Sequence, residues 1–459
     1  MTVPHSGTDP LQRDLDQLRP FLAGELVLPD ETRWADACHV WNTHVRIDPL
    51  AVAYPITVDD IQRLLRLATA QGVAVSVVAN GHGTTPALDR TIVMRTEKMA
   101  GVTVDLAGRT VRVEAGARWH HVMDALRDTG LMALPGSTPD IAVIPYLLGG
   151  GLPWLARSYG FAADYVRRFE VVTCAGEHLD VSPDSSPELF WALRGGGGDM
   201  AIVTAAEIEL IDEPPIYGGE LMWPAEHTAE VLAAFADATR QAPPELTMWL
   251  WLTTFPPIEP IPAELQGQSF ANLNVTYLGG RDEAESALQA MREVPGLTRD
   301  TLRELAAADL GTISGEPTEP MPAMDWSRTA EQLSGELRHR LLEVNWPGPH
   351  TPVVVCIRHL GGALRHPIDG AVPAIPDDYL LLGFGVPFTD DDADTIASHF
   401  RLLEDTLGEH ISDRSTYTML GQRSDISNLF DAATLTRLRE TKATVDPEGT
   451  LRSNRPLGG

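Results

Sequence analysis

The sequence predicts an α+β fold: a first region of short strands and crossover helices, then a region with a mainly antiparallel sheet backed by helices. Two observations carry this. A strand–helix–strand unit occupies residues 51–78 and runs straight into a glycine loop. After the turn Asp212-Glu213-Pro214-Pro215 the pattern changes, and strands and helices alternate to about residue 407. A third observation concerns function. Glycine-dense bends at Asn80–Thr85, Leu148–Leu152 and Arg194–Asp199 each adjoin an apolar run. Glycine is costly there unless main chain approaches something closely or takes a positive φ. Together they point to one large, flat, phosphate-bearing ligand gripped by backbone.

The elements follow in order. Residues 10–50 read as mostly helix and loop, and Ala51–Tyr54 as a short strand. Thr57 is an N-cap with Asp60 three residues on, and Ile61, Leu64, Leu65, Leu67 and Ala68 repeat at helical spacing up to Gly72. Val73–Val78 is a β-branched strand. Further strands are predicted at Thr91–Met94, Thr110–Ala115, Phe169–Thr173, His178–Val181 and Met200–Leu210, with helices at Arg118–Asp128 and Pro187–Leu193. Cys174 reads as a packed strand residue. Beyond the turn, strands are predicted at Gly219–Trp223, Leu246–Thr254, Phe270–Tyr277, Pro352–His359 and Tyr379–Val386. Helices are predicted at Glu226–Gln241, Arg281–Val294, Trp326–Val344 and Asp390–Leu407, and Pro-rich loops at 259–264 and 315–322. The tail reads as a helix from Leu435, a turn at Asp446–Gly449 and an extended end.

The formal charge is −29, from 35 Lys+Arg against 64 Asp+Glu, which argues against nucleic acid and anionic lipid as partners. It also repels an anionic ligand at long range, so a phosphate needs local backbone N–H groups and helix N-termini. Cys38, Cys174 and Cys356 are far apart with no CxxC, against a disulfide framework or structural zinc. His120 and His121 are adjacent, hence about 100° apart on a helix, and read as surface residues. Asp377-Asp378 and Asp390–Asp392 read as a solvated loop and a helix start, so no metal is expected. No hydrophobic leader or bilayer-length apolar run is present, and a cytoplasmic protein without membrane partners is expected. Nothing in the sequence specifies an oligomeric state.

Six motifs stand in order: Asn80-Gly81-His82-Gly83, Leu148-Gly149-Gly150-Gly151-Leu152, Arg157–Asp164, Glu188–Gly198, Arg358–Ala363 and Lys442–Gly449. With these the chain resembles the berberine-bridge-enzyme-like branch of the vanillyl-alcohol-oxidase/p-cresol-methylhydroxylase (PCMH) flavoproteins. The resemblance covers most of the chain and is strongest over residues 51–210 and 435–457. It implies a two-part PCMH-type FAD-binding domain at 1–213, a substrate-binding domain at 214–413, and a C-terminal segment at 414–459 returning to the FAD domain. It places FAD against Asn80, Gly81, His82, Gly83, Thr84, Pro135, Gly136, Ser137, Thr138, Asp140, Ile141, Tyr146, Gly149, Gly150, Gly151, Gly198, Ile202, Val203 and Asn454. It also implies a covalent bond from His82 to the flavin 8α carbon, which prevents cofactor loss and raises the reduction potential. Many relatives carry a second linking cysteine where Thr138 stands here, so attachment through His82 only is expected. Pro145, Pro153 and Ala142 replace common glycines, and proline removes a backbone donor.

Oxidising an alcohol or amine moves a hydride to flavin and a proton to a base. Relatives often use a tyrosine in a Tyr-x-Asn-Phe-like stretch. Tyr417 matches it, with Met419 at the asparagine. A phenol near pKa 10 needs a nearby cation to act as a base, and Arg358 or His359 is the expected source. Tyr146 faces the flavin or is packing. Trp249 and Trp251 share one strand face; they form a substrate wall if that face overlooks the flavin, and core if it backs onto helices. The expected catalytic set is Tyr417, Tyr146 and Arg358, and the expected substrate contacts are Trp249, Trp251 and His359. The resemblance implies an oxidase acting on a small-molecule alcohol, amine or biosynthetic intermediate of secondary metabolism, with dioxygen as acceptor and hydrogen peroxide released. A dehydrogenase using another acceptor and a flavoprotein catalysing a non-redox rearrangement or cyclisation are the alternatives.

Overall fold

Thr57 starts the first crossover helix, Val58–Gln71. Its hydroxyl accepts from the Asp60 N–H (3.2 Å) while the Asp60 carboxylate accepts from the Thr57 N–H (3.1 Å), and Gly72 ends the helix at φ +63°. Ile61, Leu64, Leu65 and Ala68 on this helix are fully buried against a four-stranded sheet. The computed structural model describes residues 10–255, 261–345, 352–423 and 425–458. Residues 259 and 260 of the predicted Pro-rich loop, and the residues before Pro10, lie outside the described residues.

The four-stranded sheet has the order Glu25–Val27, Ala51–Tyr54, Ile92–Arg95, Val75–Val78; the last three strands are parallel to one another, and Glu25–Val27 pairs antiparallel at one edge. Glu25–Val27 lies in the segment read as helix and loop. A second sheet of five antiparallel strands runs Val102–Asp105, Thr110–Glu114, Ile202–Glu209, Val166–Val172, His178–Val181. Cys174 lies just past the end of Val166–Val172, and its thiol donates to the Val445 carbonyl (3.0 Å).

The third large sheet has eight strands: Arg299–Asp300, Ile216–Pro224, Ser269–Leu278, Leu246–Thr254, Val354–His359, Tyr379–Gly385, Met324–Ala330, and Arg303–Leu305 beside Ile216–Pro224. Every pairing is antiparallel. One face is apolar: Leu381, Ile357, Leu250, Leu273 and Leu221 form a continuous cross-strand row, all fully buried. Helices Thr228–Gln241, Gly335–Asn345 and Asp390–Leu407 cover that face through Phe235, Leu337, Leu341, Phe400 and Leu403. Thr389 and Asp392 form the capping box of the last helix. The expected helix Trp326–Val344 is instead a strand, Met324–Ala330, followed by the helix at Gly335, whose start Ser334 caps by accepting from the Leu337 N–H (3.1 Å). Pairing with Tyr379–Gly385 overrides the weak helical periodicity there.

The C-terminal helix Ala432–Val445 leads to an extended tail that returns to the first sheet. The Val75 N–H donates to the Thr450 carbonyl (2.7 Å), and the Arg452 N–H to the Val75 carbonyl (2.8 Å). Lys442 Nζ donates to the Asp446 carboxylate (2.6 Å) and to the carbonyls of Asp199 (2.7 Å) and Leu451 (2.8 Å). The Asp446 side chain is 0% exposed. Removing one partner of a buried ion pair leaves the other uncompensated. Lys442→Met is therefore expected to destabilise the protein by about 3 kcal/mol, measured as a fall in the urea midpoint of the cofactor-free chain.

Candidate functional site

Between the first two sheets and the polar face of the third lies a cavity of about 830 Å³. Its floor is built from the glycine bends. Strand Val75–Val78 delivers the first. Gly81 adopts φ +87°, and a Cβ there would collide with Val40 and the Trp41 backbone. This close approach puts the Trp41 ring flat on His82, with centroids 3.9 Å apart at 18°. Both His82 ring nitrogens are buried and without a hydrogen-bond partner. Burial, helped by the charge of Arg118, pushes the His82 pKa down to about 3, so the imidazole is neutral.

Asn80 ties this bend to the next by donating from Nδ2 to the Asp140 carbonyl (2.7 Å), while the Asp140 carboxylate pairs with Arg118. Gly136, Ser137, Thr138 and Ile141 line the cavity, as does Tyr146 from helix Val143–Leu148. Pro145 sits in the first turn of that helix, where a missing N–H costs little. His120 and His121 are half-buried rather than surface residues: His121 Nδ1 accepts from the Arg118 N–H (3.1 Å), and His120 Nδ1 lies 3.3 Å from the Pro139 carbonyl.

The third bend contributes Gly198 and, from the following strand, Ile202 and Val203. Gly197 lies against the Tyr417 ring. The tail supplies Ser453, Asn454 and Arg455. Asn454 is not free for a ligand through Oδ1, which accepts from the Thr85 N–H (3.2 Å), and its carbonyl accepts from the Thr85 hydroxyl (2.6 Å).

Several expected contacts act one layer back. Thr84, Pro135 and Asp140 do not line the cavity; Thr84 is fully buried beneath its bend, and Asp140 ties two bends together. Gly149, Gly150 and Gly151 do not line it either. They let the chain pack against Tyr417, Val372 and the Tyr146 ring respectively. Tyr146 is held by its hydroxyl donating to the Leu134 carbonyl (3.5 Å) and by an edge contact with Trp119.

The roof is the inward face of the eight-stranded sheet, ordered by register into rows. The first row is Arg358, Trp249, Asn274 and Glu220. The second is Leu382, Cys356, Trp251, Asn272 and Met222. Asp325, Phe384 and Val354 stand in the third. Trp251 lines the cavity, but Trp249 does not: Trp154 stacks on it (3.5 Å, 12°) and the Arg358 guanidinium lies 3.8 Å from its ring centroid. His359 is the clear correction. One residue on from Arg358, it faces the opposite side of the sheet, lines a separate cavity and accepts at Nε2 from Arg157 Nη1 (2.9 Å).

Tyr417 stands in a short 3₁₀ turn, Tyr417–Met419, and lines the cavity. Its neighbouring cation is Arg455, 5.5 Å from the ring centroid, and not Arg358 or His359. Arg455 spends its guanidinium on the carbonyls of Gly421 and Arg423. Withdrawal from water dominates, and the phenol is pushed up to about 12. Sequence reasoning missed Asp325. Its carboxyl is withdrawn from water and pushed up to about 6, opposed by the Gln422 amide donating to Oδ2 (3.0 Å) and by Arg455. Strand alternation would have exposed it, had residues 324–330 been read as a strand. Trp41, Arg118, Asn272, Glu316 and Arg455 were also missed, because no local motif marks them.

A family model described as an FAD binding domain matches residues 49–182. Over 200 residues the chain is 32% identical to the FAD-dependent monooxygenase FUP4 of Fusarium proliferatum, an alignment covering 42% of this chain and 39% of that protein. It is 27% identical over 332 residues to (R)-6-hydroxynicotine oxidase of Paenarthrobacter nicotinovorans, covering 69% and 70%. Among solved structures, a BBE-like protein of Physcomitrella patens superposes with TM-score 0.84 at 17% identity, covering 97% of this chain and 99% of that one. Glucooligosaccharide oxidase of Acremonium strictum, whose FAD is described as 6-S-cysteinyl and 8α-N1-histidyl, superposes with TM-score 0.81 at 20% identity, covering 97% and 98%. No described helix is long and apolar enough to cross a membrane, and the described residues contain no cluster of three or more His, Cys, Asp or Glu able to hold a metal ion.

The depressed His82 pKa has a consequence for the cofactor-free chain. The folded state resists protonation down to about 3, whereas the unfolded chain takes a proton near 6.5. Below 6.5 the unfolded state therefore binds more protons, and stability falls as pH falls. Urea midpoints measured between pH 7.5 and 5 should drop more steeply for the wild type than for His82→Ala.

Proposed function

We propose that the chain is an FAD-linked oxidoreductase of the vanillyl-alcohol-oxidase/p-cresol-methylhydroxylase flavoproteins and that it works as an oxidase joined to FAD through His82 alone. The observation that carries this reading is His82: a neutral imidazole with both nitrogens unpartnered, held on Trp41 at the wall of the cavity. A lone pair on neutral imidazole can bond to carbon, whereas imidazolium has none to give. Thr138 offers no thiol, and none of Cys38, Cys174 and Cys356 lines the cavity, which favours a single attachment. The glycine backbone at Gly136 and Gly198 and the ends of Ser137 and Ser453 would hold the cofactor.

Bound FAD supplies a ring that accepts a hydride. The chain's own residues take the proton. Asp325 suits that role better than Tyr417. Near neutrality a carboxyl with a pKa of about 6 is ionised yet poorly hydrated, and Gln422 fixes its orientation. Tyr417, pushed up to about 12, keeps its proton and serves as a hydrogen-bond donor toward the substrate. As the substrate's O–H or N–H proton passes to Asp325, the hydride leaves the adjoining carbon. The substrate is a small-molecule alcohol, amine or biosynthetic intermediate, and dioxygen is the electron acceptor.

Acid precipitation should leave yellow colour in the wild-type pellet and release it from His82→Ala. With a substrate identified by oxygen uptake, Asp325→Asn should lower kcat by roughly 10²- to 10⁴-fold. It should also abolish the loss of activity expected as pH falls through about 6, the value at which the wild-type carboxylate becomes protonated. Tyr417→Phe should cost less and leave that acid limb in place.

A further inference from the structure

The roof carries a concentration of buried hydrogen-bonding groups with nothing to bond. Arg358 is 4% exposed, and neither Nε nor Nη1 has a partner. Its Nη2 lies 3.8 Å from Glu316 Oε1, beyond hydrogen-bond reach. In the next row, Trp251 Nε1 is buried and unpartnered, and so is the Oδ1 of Asn272, its cross-strand neighbour. All of these residues line the cavity. Leaving a buried donor unpaired costs about 1–3 kcal/mol, and more when it is charged. Three of these unpartnered atoms are donors, against the acceptors Asn272 Oδ1 and Glu316 Oε1, and the strongest donor is a cation.

The neighbouring acids answer this demand only in part: Glu316 stands near one nitrogen, Nη2, at ion-pair distance, and leaves Nε and Nη1 without a partner. Glu220, in the same row, faces Arg299 at 3.4 Å. Asp325 stands in the third row, four residues along the strand direction and so about 13 Å from the first. Between them the roof presents Leu382 and Met222 beside Trp251, with Phe384 next to Asp325 in the third row, an apolar and aromatic surface. The guanidinium is already supported from behind by the Trp249 ring, which Trp154 backs in turn.

We propose that the substrate carries an anionic oxygen, a carboxylate or phenolate, on a flat polycyclic body, and that this group docks on Arg358 and Trp251 while the body lies under the apolar roof. This rests on the reading of the cavity as the site of oxidation. Arg358 is then the anchor that selects the substrate, and Trp251 Nε1 shares the oxygen. The net charge of −29 does not oppose the recognition at contact range, where a partly desolvated guanidinium outweighs screened surface carboxylates.

The test uses the purified holoenzyme and three flat probes of one shape: 2-naphthoate, neutral 2-naphthamide and cationic 2-naphthylmethylamine, with 4-nitrophenolate to separate phenolate from carboxylate. Calorimetry should show at least one anion binding about tenfold or more tighter than the amide, the amine weakest, and binding of that anion should shift the flavin absorption band. Arg358→Met should abolish the preference and Arg358→Lys retain part of it. Equal affinity of the wild type for anions and amide would overturn the proposal, as would a preference that survives in a folded Arg358→Met. An anion preference without any shift of the flavin band would also overturn it, because the group would then dock away from the reacting centre. A colourless wild type would sink the oxidase reading, while the calorimetric comparison would still report on anion recognition at Arg358.

Discussion

The site depends on one constraint: the carboxylate of Asp199 must hold the C-terminal tail against the third glycine bend. It accepts from the N–H groups of Ser453 (2.6 Å) and Leu457 (2.7 Å), while Lys442 bridges the Asp199 and Leu451 carbonyls. With the tail so placed, Asn454 meets Thr85 and Arg455 lies against Gly83. The first bend is then held from the tail, from Asp140 through Asn80, and from Trp41. That redundancy is what permits His82 to keep two buried nitrogens unsatisfied. An orphaned polar group persists only where its surroundings over-determine it, and here they come from segments more than 300 residues apart.

Charge is distributed with the same logic. A chain of net charge −29 places Arg118, Arg358 and Arg455 around one cavity, and each is neutralised differently. Arg118 has the full carboxylate partner Asp140 and acts on His82 only as a field that keeps the ring neutral. Arg455 bonds to carbonyl dipoles, which hold it in place without cancelling its charge. Arg358 has little more than a ring face and a distant carboxylate. The availability of positive charge therefore rises from the first bend to the first row of the roof. Asp325, the proposed proton acceptor, lies away from that row, where Arg358 would otherwise lower its pKa and weaken it as a base.

Much of the floor was legible in the sequence because glycine advertises backbone geometry. Gly81 and Gly197 could be read as close approaches, and the capping pairs Thr57–Asp60 and Thr389–Asp392 fixed helix starts locally. The roof was less legible, since which residues face inward depends on cross-strand register. Arg358 and His359 are adjacent in sequence and chemically alike, yet one lines the main cavity and the other a separate one. Trp249 and Trp251 share a face as expected. Which of them lines the cavity was decided by Trp154, a distant residue that covers the first. Asp325 was hidden by a wrong period: residues 324–330 and the genuine helix beyond them merge into one helical pattern when pairing is unknown.

Register itself must be specified by something, because sliding strand Val354–His359 by one residue would exchange the two sides of the sheet. Arg358 would then enter the layer of Leu250, Leu273 and Leu381, a charge among aliphatic side chains at great cost. Ile357 would enter the cavity in its place. The fully buried row Leu381–Ile357–Leu250–Leu273–Leu221 thus does more than stabilise the outer layer. By having room only for aliphatic groups, it forces the alternate positions, Arg358, Cys356, Trp251 and Asn272, onto the polar face. The apolar core and the cavity lining are set by one periodicity, and the chemistry of the roof follows from what the helices on the far side will accept.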